Sequence, residues 1–277
     1  MALTINTNVA SLNAQRNLNT TQLMMSKSME RLSSGLRINR AGDDAAGLAI
    51  SQNMQANIRS MNQAVRNAND GISLVQTAEG ALNETSNILL RMRELGTQAA
   101  NGVLSSSQRD NIQVEFKNLQ EEIDRISAVT DFNGTKLLNG DLSAGTSLQI
   151  GTGTTGNDTI SVTVGKADTA TLGVGTTTSA VSTQAAAQAS LTAIDSAISL
   201  VSTARGNLGA VQNRLQSTIN NLQVAVENTS AANSRIVDVD VAAESANMTK
   251  SQILAQAGVS VLSQANQAPQ LALKLLG

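Results

Sequence analysis

No cysteine, histidine, tryptophan or tyrosine occurs in this chain, and phenylalanine stands only at Phe116 and Phe132. Those gaps remove thiol nucleophiles, imidazole bases and the usual zinc ligands together, so most familiar active sites cannot be assembled and no cofactor is expected. Without cysteine there are no disulfides either, which leaves the compartment open. Aromatics at 1% offer no platforms for stacked bases, and 14% charged residues with a formal net charge of -2 give no basic footprint, so nucleic acid is not an expected partner. The first ten residues lack a basic and then apolar leader, and no run approaches about 18 uninterrupted apolar residues, so neither a cleaved signal nor membrane insertion is expected. That is compatible with a cytoplasmic protein and equally with one exported by a machine that reads an uncleaved N-terminus.

What is present is helical periodicity at both ends of 277 residues. Met54, Ile58, Met61, Val65, Ala68, Ile72 and Val75 alternate steps of four and three, the signature of a seam between paired helices. Leu191, Ile194, Ile198, Val201, Leu208, Leu215, Ile219, Leu222 and Val226 repeat the rule towards the other end, interrupted at Arg205 and Gln212. Ile112, Phe116, Leu119, Ile123 and Ile126 form one face of a shorter helix, opened by the capping pair Ser105 and Gln108. A weaker pattern, Leu18, Met25 and Leu32 with Met29 and Leu36, marks an N-terminal arm, and Val259 and Leu262 belong to its C-terminal counterpart. Glycine and short polar residues place a hinge at 35–47. From about Ala49 to Ala100 one helix of some 50 residues would extend roughly 75 Å. Pro269, the single proline, should stop or bend the last arm.

Between 139 and about 182 the composition turns to Gly, Thr and Ser, with alternating runs Leu148-Gln149-Ile150 and Ile160-Ser161-Val162 that read as strands. The fold class expected is mainly α: a long antiparallel helical bundle or coiled-coil rod, a small β-hairpin region at its tip, and paired termini. The domains expected are 1–42 with 236–277 as a terminal coiled-coil domain, 43–138 with 186–235 as the bundle, and 139–185 as a short variable region. The terminal arms are apolar on too narrow a face to offset their ordering cost of about 1–2 kcal/mol per residue alone, so copies of the chain are expected to complete them.

Three features could carry chemistry. Gly151-Thr152-Gly153-Thr154-Thr155-Gly156 fits a dinucleotide fingerprint, but a strand follows it where a helix N-terminus is needed, so a plain glycine-rich turn is the better reading. It also approaches one calcium β-roll repeat, but such rolls need stacked copies. Asp43-Asp44 could share a cation, yet acidic residues beside a helix N-terminus suit its dipole without one. Glu121, Glu122, Asp124 and Arg125 read as a solvated helix face.

The motifs themselves resemble bacterial flagellin. Ile5-Asn6-Thr7-Asn8, Leu32-Ser33-Ser34-Gly35-Leu36-Arg37-Ile38-Asn39 and Asp43-Asp44-Ala45-Ala46-Gly47 are similar to the N-terminal signature of that family. Ile253-Leu254-Ala255-Gln256-Ala257-Gly258, Ser263-Gln264-Ala265-Asn266-Gln267, Pro269-Gln270 and Leu275-Leu276 are similar to the C-terminal one. The resemblance implies a subunit of the flagellar filament, with the terminal arms as its inner tube. It implies unfolded export through the flagellar type III apparatus to an extracellular polymer, with an export chaperone, the filament cap and hook-junction proteins as partners. It also implies that Arg91, Leu95 and Glu115 fall on positions contacted by a host Toll-like receptor for the monomer; on the alternative reading, Arg91 and Glu115 are subunit-contact charges and Leu95 is packing.

The leading expectation is therefore a structural protein whose copies join by non-closing contacts. The alternatives are a hook–filament junction protein, with similar helical arms, and a secreted receptor-binding or adhesive module with its specificity in 139–185. An enzyme is the least supported class.

Overall fold

The computed structural model describes residues 7–176 and 178–276, apart from the side chains of 268–276. The motif residues Ile5 and Asn6, and the side chains of Pro269, Gln270, Leu275 and Leu276, lie outside it. Five helices dominate: α1 Val9–Ser34, α2 Ala45–Ala99, α3 Ser106–Val129, α4 Gln184–Val237 and α5 Val241–Leu276. Two antiparallel strand pairs complete the fold: β1 Asp131–Phe132 with β2 Thr135–Lys136, and β3 Thr146–Gln149 with β4 Thr159–Val162. The chain divides into two compact units, residues 1–56 with 228–277, and 57–227.

In the 57–227 unit, α2 runs antiparallel to both α3 and α4. Arg91 reaches Glu115 and Arg109 reaches the Ala99 carbonyl on one side, while Gly96 faces Leu191 and Gly71 faces Leu215 on the other. Met61, Ala68 and Val75 are buried, as the seam count requires. The alternate positions differ. Ile58, Val65 and Ile72 are half-buried, and Ala64, Gly71 and Ala78 fill the second set instead. The seam then continues unbroken through Leu82, Thr85, Leu89, Met92, Gly96 and Ala99. The physical reason is close approach: a side chain at 71 would collide with Leu148 and sit 3.3 Å from Leu215, so the small residues, not the large ones, mark where the partner helix lies.

The same shift holds on α4. Ile194, Val201, Leu208 and Leu215 are buried, Ile219 with them, and the intervening contacts come from Ala197, Ala204 and Val211. Arg205 and Gln212 therefore stand beside the seam and do not interrupt it; Arg205 Nη2 lies 3.7 Å from Glu79 Oε1. Leu222 is half-buried further along. On α3, Ile112, Phe116 and Ile123 are buried and Leu119 packs at their edge. Ser105 caps α3 with Gln108 in the reciprocal pattern expected.

The β1–β2 turn is Asn133-Gly134, both with positive φ (51° and 80°), the backbone a two-residue hairpin requires. In the second pair Leu148 lies opposite Ile160. Ile150 and Ile160 pack with Ala68, Leu215 and Ile219, all within the 57–227 unit.

Candidate functional site

The unit that carries the two termini inverts the usual distribution of side chains. Here α1 and α5 pair antiparallel, with Ser28 opposite Glu244 and Leu18 opposite Gly258. On α1 the seam is Ser11, Ala14, Leu18, Thr21, Met25, Ser28 and Leu32; on α5 it is Glu244, Met248, Ser251, Ala255, Gly258, Leu262 and Ala265. Leu18, Met25, Leu32 and Leu262 are half-buried there, but the fully buried members are Ala14, Ser28, Glu244 and Ser251. Gly258 supplies room for Leu18, whose Cδ1 would lie 3.3 Å from any Cβ at that position.

Large apolar side chains point the other way. Leu12, Leu23 (73% exposed), Met24, Met29, Ile253, Leu254, Val259 and Val261 all face outward. Met29, counted into the seam from its spacing, belongs to this outer set: the pair adopts the phase that buries Ser28 against Glu244. Leu36 lies beyond the end of α1, which Gly35 closes with φ of 73°; it forms a single bridge to Asp238 and is half-buried. Met54, on α2 within the same unit, is half-buried too.

Polar ties fix this pair. Ser28, 5% exposed, donates from Oγ to Glu244 Oε1 at 2.5 Å, and Glu244 itself is 8% exposed. Arg31 lies 3.5 Å from the other Glu244 oxygen, so the buried carboxylate is neutralised as well as hydrogen-bonded. The 35–47 segment, where a hinge is expected, breaks the helix into an elbow that side-chain contacts tie together. Asp43 bonds Lys27 at 2.7 Å and accepts the Asn39 and Arg40 amides; the Lys27 hydrogen bond first, then those amides, pull its carboxyl down to about 2. Asp44 Oδ1 accepts the Gly47 amide at 2.9 Å and so opens α2. Ile38 is buried beneath them, 2.8 Å from where a Cβ at Gly47 would stand. Both aspartates are thus used by the backbone and Lys27, with no cation required. α5 continues past Pro269 to Leu276.

On the other unit, Arg91 donates from Nε and Nη2 to Glu115 Oε1 at 3.0 and 2.8 Å, and from Nη1 to Glu94 at 2.8 Å. These carboxylates, Glu115 first, hold its guanidinium above its ordinary pKa. Arg91 and Glu115 are about half exposed. Leu95 is 2% exposed and lies in the core beside Met92, so its side chain is not part of that surface; Leu90 is. The glycine-rich turn fills its own anion cradle. Asp158 accepts from the Gly153 and Thr155 amides and from Thr155 Oγ1 at 2.6 Å, which lowers its pKa, the Thr155 hydroxyl contributing most. A phosphate has no free cradle there.

A set of contacts with no sequence signal lies along α3. Gln113 accepts the Val181 amide, Gln120 donates to the Val174 and Ser179 carbonyls, and Asp124 accepts from the Thr169 amide and hydroxyl. Asp124, read as part of a solvated face, therefore grips residues 45 positions away.

A helix pair with a small, polar seam and a large apolar exterior, in a chain whose other unit is conventionally packed, defines a protein built to be covered by others. The chain matches the bacterial flagellin N-terminal helical region over residues 5–143 and the C-terminal helical region over 191–276, and it belongs to the bacterial flagellin family. It is 46% identical to a flagellin of Xenorhabdus nematophila across the whole of both chains. It is 44% identical to the flagellar filament 33 kDa core protein of Treponema phagedenis, over 98% of this chain and 99% of that one. A putative flagellar hook-associated protein from Vibrio parahaemolyticus shares the fold, with a TM-score of 0.59 and 18% identity over 71% of this chain and all of the other.

Proposed function

We propose that this chain is the structural subunit of a bacterial flagellar filament and acts in motility as an extracellular helical homopolymer. One observation carries the reading: in the α1–α5 pair the large apolar residues face outward while alanine, serine and glutamate occupy the seam. Burial of apolar surface contributes about 25 cal/mol per Å², and these side chains gain it only when other copies cover them. Contacts between unlike surfaces of identical copies propagate as an open helix wherever the rotation between neighbours does not close a ring. The work of the protein is packing, and no catalytic role is assigned to any residue. Full-length identity to flagellins supports the filament subunit over the hook–filament junction and adhesive alternatives.

The same reading includes unfolded export through the flagellar type III apparatus, with an export chaperone, the filament cap and hook-junction proteins as partners. For the free monomer it includes engagement of the host Toll-like receptor for flagellin at the surface around Arg91 and Glu115, where an exposed ion-paired cluster adjoins the exposed Leu90. The test of the central claim is seeded elongation watched by electron microscopy. The full chain elongates seeds, whereas chains lacking 1–35 or 245–277 stay soluble and monomeric; long filaments from either truncation would overturn it.

A further inference from the structure

Proline has no amide hydrogen, so Pro269 leaves the carbonyl four residues earlier, that of Ala265, without its donor inside α5. A donor from the other end of the chain takes its place: Asn8 Nδ2 donates to Ala265 O at 2.7 Å. The same side chain caps α1, its Oδ1 accepting the Ser11 amide at 3.1 Å. Next to it, Ser11 Oγ donates to Asn266 Oδ1 at 2.7 Å. One asparagine thus satisfies an open donor at the start of α1 and an open acceptor near the end of α5.

The apolar seam itself specifies register weakly, and the backbone bridge of Leu36 to Asp238 ties only the opposite end of the pair. Leu18, Met25 and Leu32 recur every seven residues, as do Ala14, Thr21 and Ser28, so a slide by one heptad presents nearly the same surface to α5. Where apolar packing cannot choose between registers, a single polar pairing can. We propose that Asn8 and Pro269 act as a register clamp: the proline opens one acceptor on α5, the α1 cap closes it, and only the register that joins them presents the outward apolar surface on which copies assemble. This rests on the filament-subunit reading and deepens it by naming positioning residues for assembly. The Ser28–Glu244 contact, near the other end of the pair, is satisfied in the same register.

The test is a double-mutant cycle in the full chain. Asn8→Ser keeps a good capping acceptor but is too short to reach Ala265. Pro269→Ala restores a backbone N–H for Ala265 O and makes the Asn8 donor redundant. The readouts are the chain concentration at which polymer begins to pellet in ammonium sulfate, and amide exchange of residues 258–268. Asn8→Ser raises the threshold about three- to tenfold, the range expected for one lost hydrogen bond, and weakens protection at 258–268. In the Pro269→Ala background the same substitution costs less than about twofold, and protection returns. Equal cost in both backgrounds, or none in either, overturns the clamp. A wild-type chain that never assembles removes the filament reading instead; the clamp is then judged by exchange, and overturned if wild type and Asn8→Ser are equally protected or equally open.

Discussion

Gly71 and Gly80 lie on the same helix, and replacing each by alanine should change stability in opposite directions. Alanine in a helix interior is favoured over glycine by about 0.5–1 kcal/mol, whatever its surroundings. At Gly80 no heavy atom lies within 4 Å of the new Cβ, so Gly80→Ala should gain that amount. At Gly71 the Cβ runs into Leu148 and lies 3.3 Å from Leu215, and overpacking of this kind costs about 1–3 kcal/mol. The propensity gain is common to both variants and cancels in their difference, leaving them about 1–3 kcal/mol apart. For a cooperative unit of this size that is roughly 2–12 °C in melting temperature. Thermal unfolding followed by far-UV circular dichroism reads the difference directly. Adding Leu148→Ala to Gly71→Ala should recover part of the loss, because Leu148 is the side chain that must give way. Equal stabilisation by the two glycine replacements would refute the close-packed seam.

Two further predictions concern the terminal unit. The folded Asp43 carboxyl sits at about 2 against an ordinary 3.8, so its stabilising contribution is complete above about pH 4 and fades as the pH falls towards about 2. Asp43→Asn should flatten that part of an acid titration of amide protection in the 35–47 elbow, and an unaltered acid profile would show that the Lys27 contact contributes nothing. Ser28→Ala removes the short hydrogen bond to the buried Glu244 carboxylate and should cost about 1–3 kcal/mol, measured in the assembled polymer as faster exchange along α1 and α5. The control is the exposed Ser26→Ala, and equal exchange in the two would place Ser28 among the inert positions.

Local chemistry was legible wherever one residue acts on its near neighbours. Ser105 with Gln108 and the aspartate start of α2 are both written within a few positions and are found in place. The phase of the seams was not, because residue size does not mark it. Ile58, Val65, Ile72, Ile198 and Met29 are the larger residues, but helices close on the narrow side, where Ala64, Gly71, Ala78, Ala197 and Ser28 allow approach. The elbow at 35–47 shows its glycine and short polar residues locally, but the return of Lys27 to Asp43 that ties it is a spatial contact. Contacts such as Asn8 with Ala265 join positions 257 apart and leave no local trace.

The grip of α3 on the 165–181 stretch has an evolutionary corollary. Gln113, Gln120 and Asp124 take hold of amides and carbonyls, the atoms every residue shares, and of a single hydroxyl. Provided that inward positions such as Leu172, Val174 and Val181 stay apolar, the outward ones, including Lys166, Thr171, Thr176 and Thr178, can be rewritten without loosening the anchorage. Lineages can therefore alter the face this stretch shows to its surroundings while inheriting the scaffold unchanged.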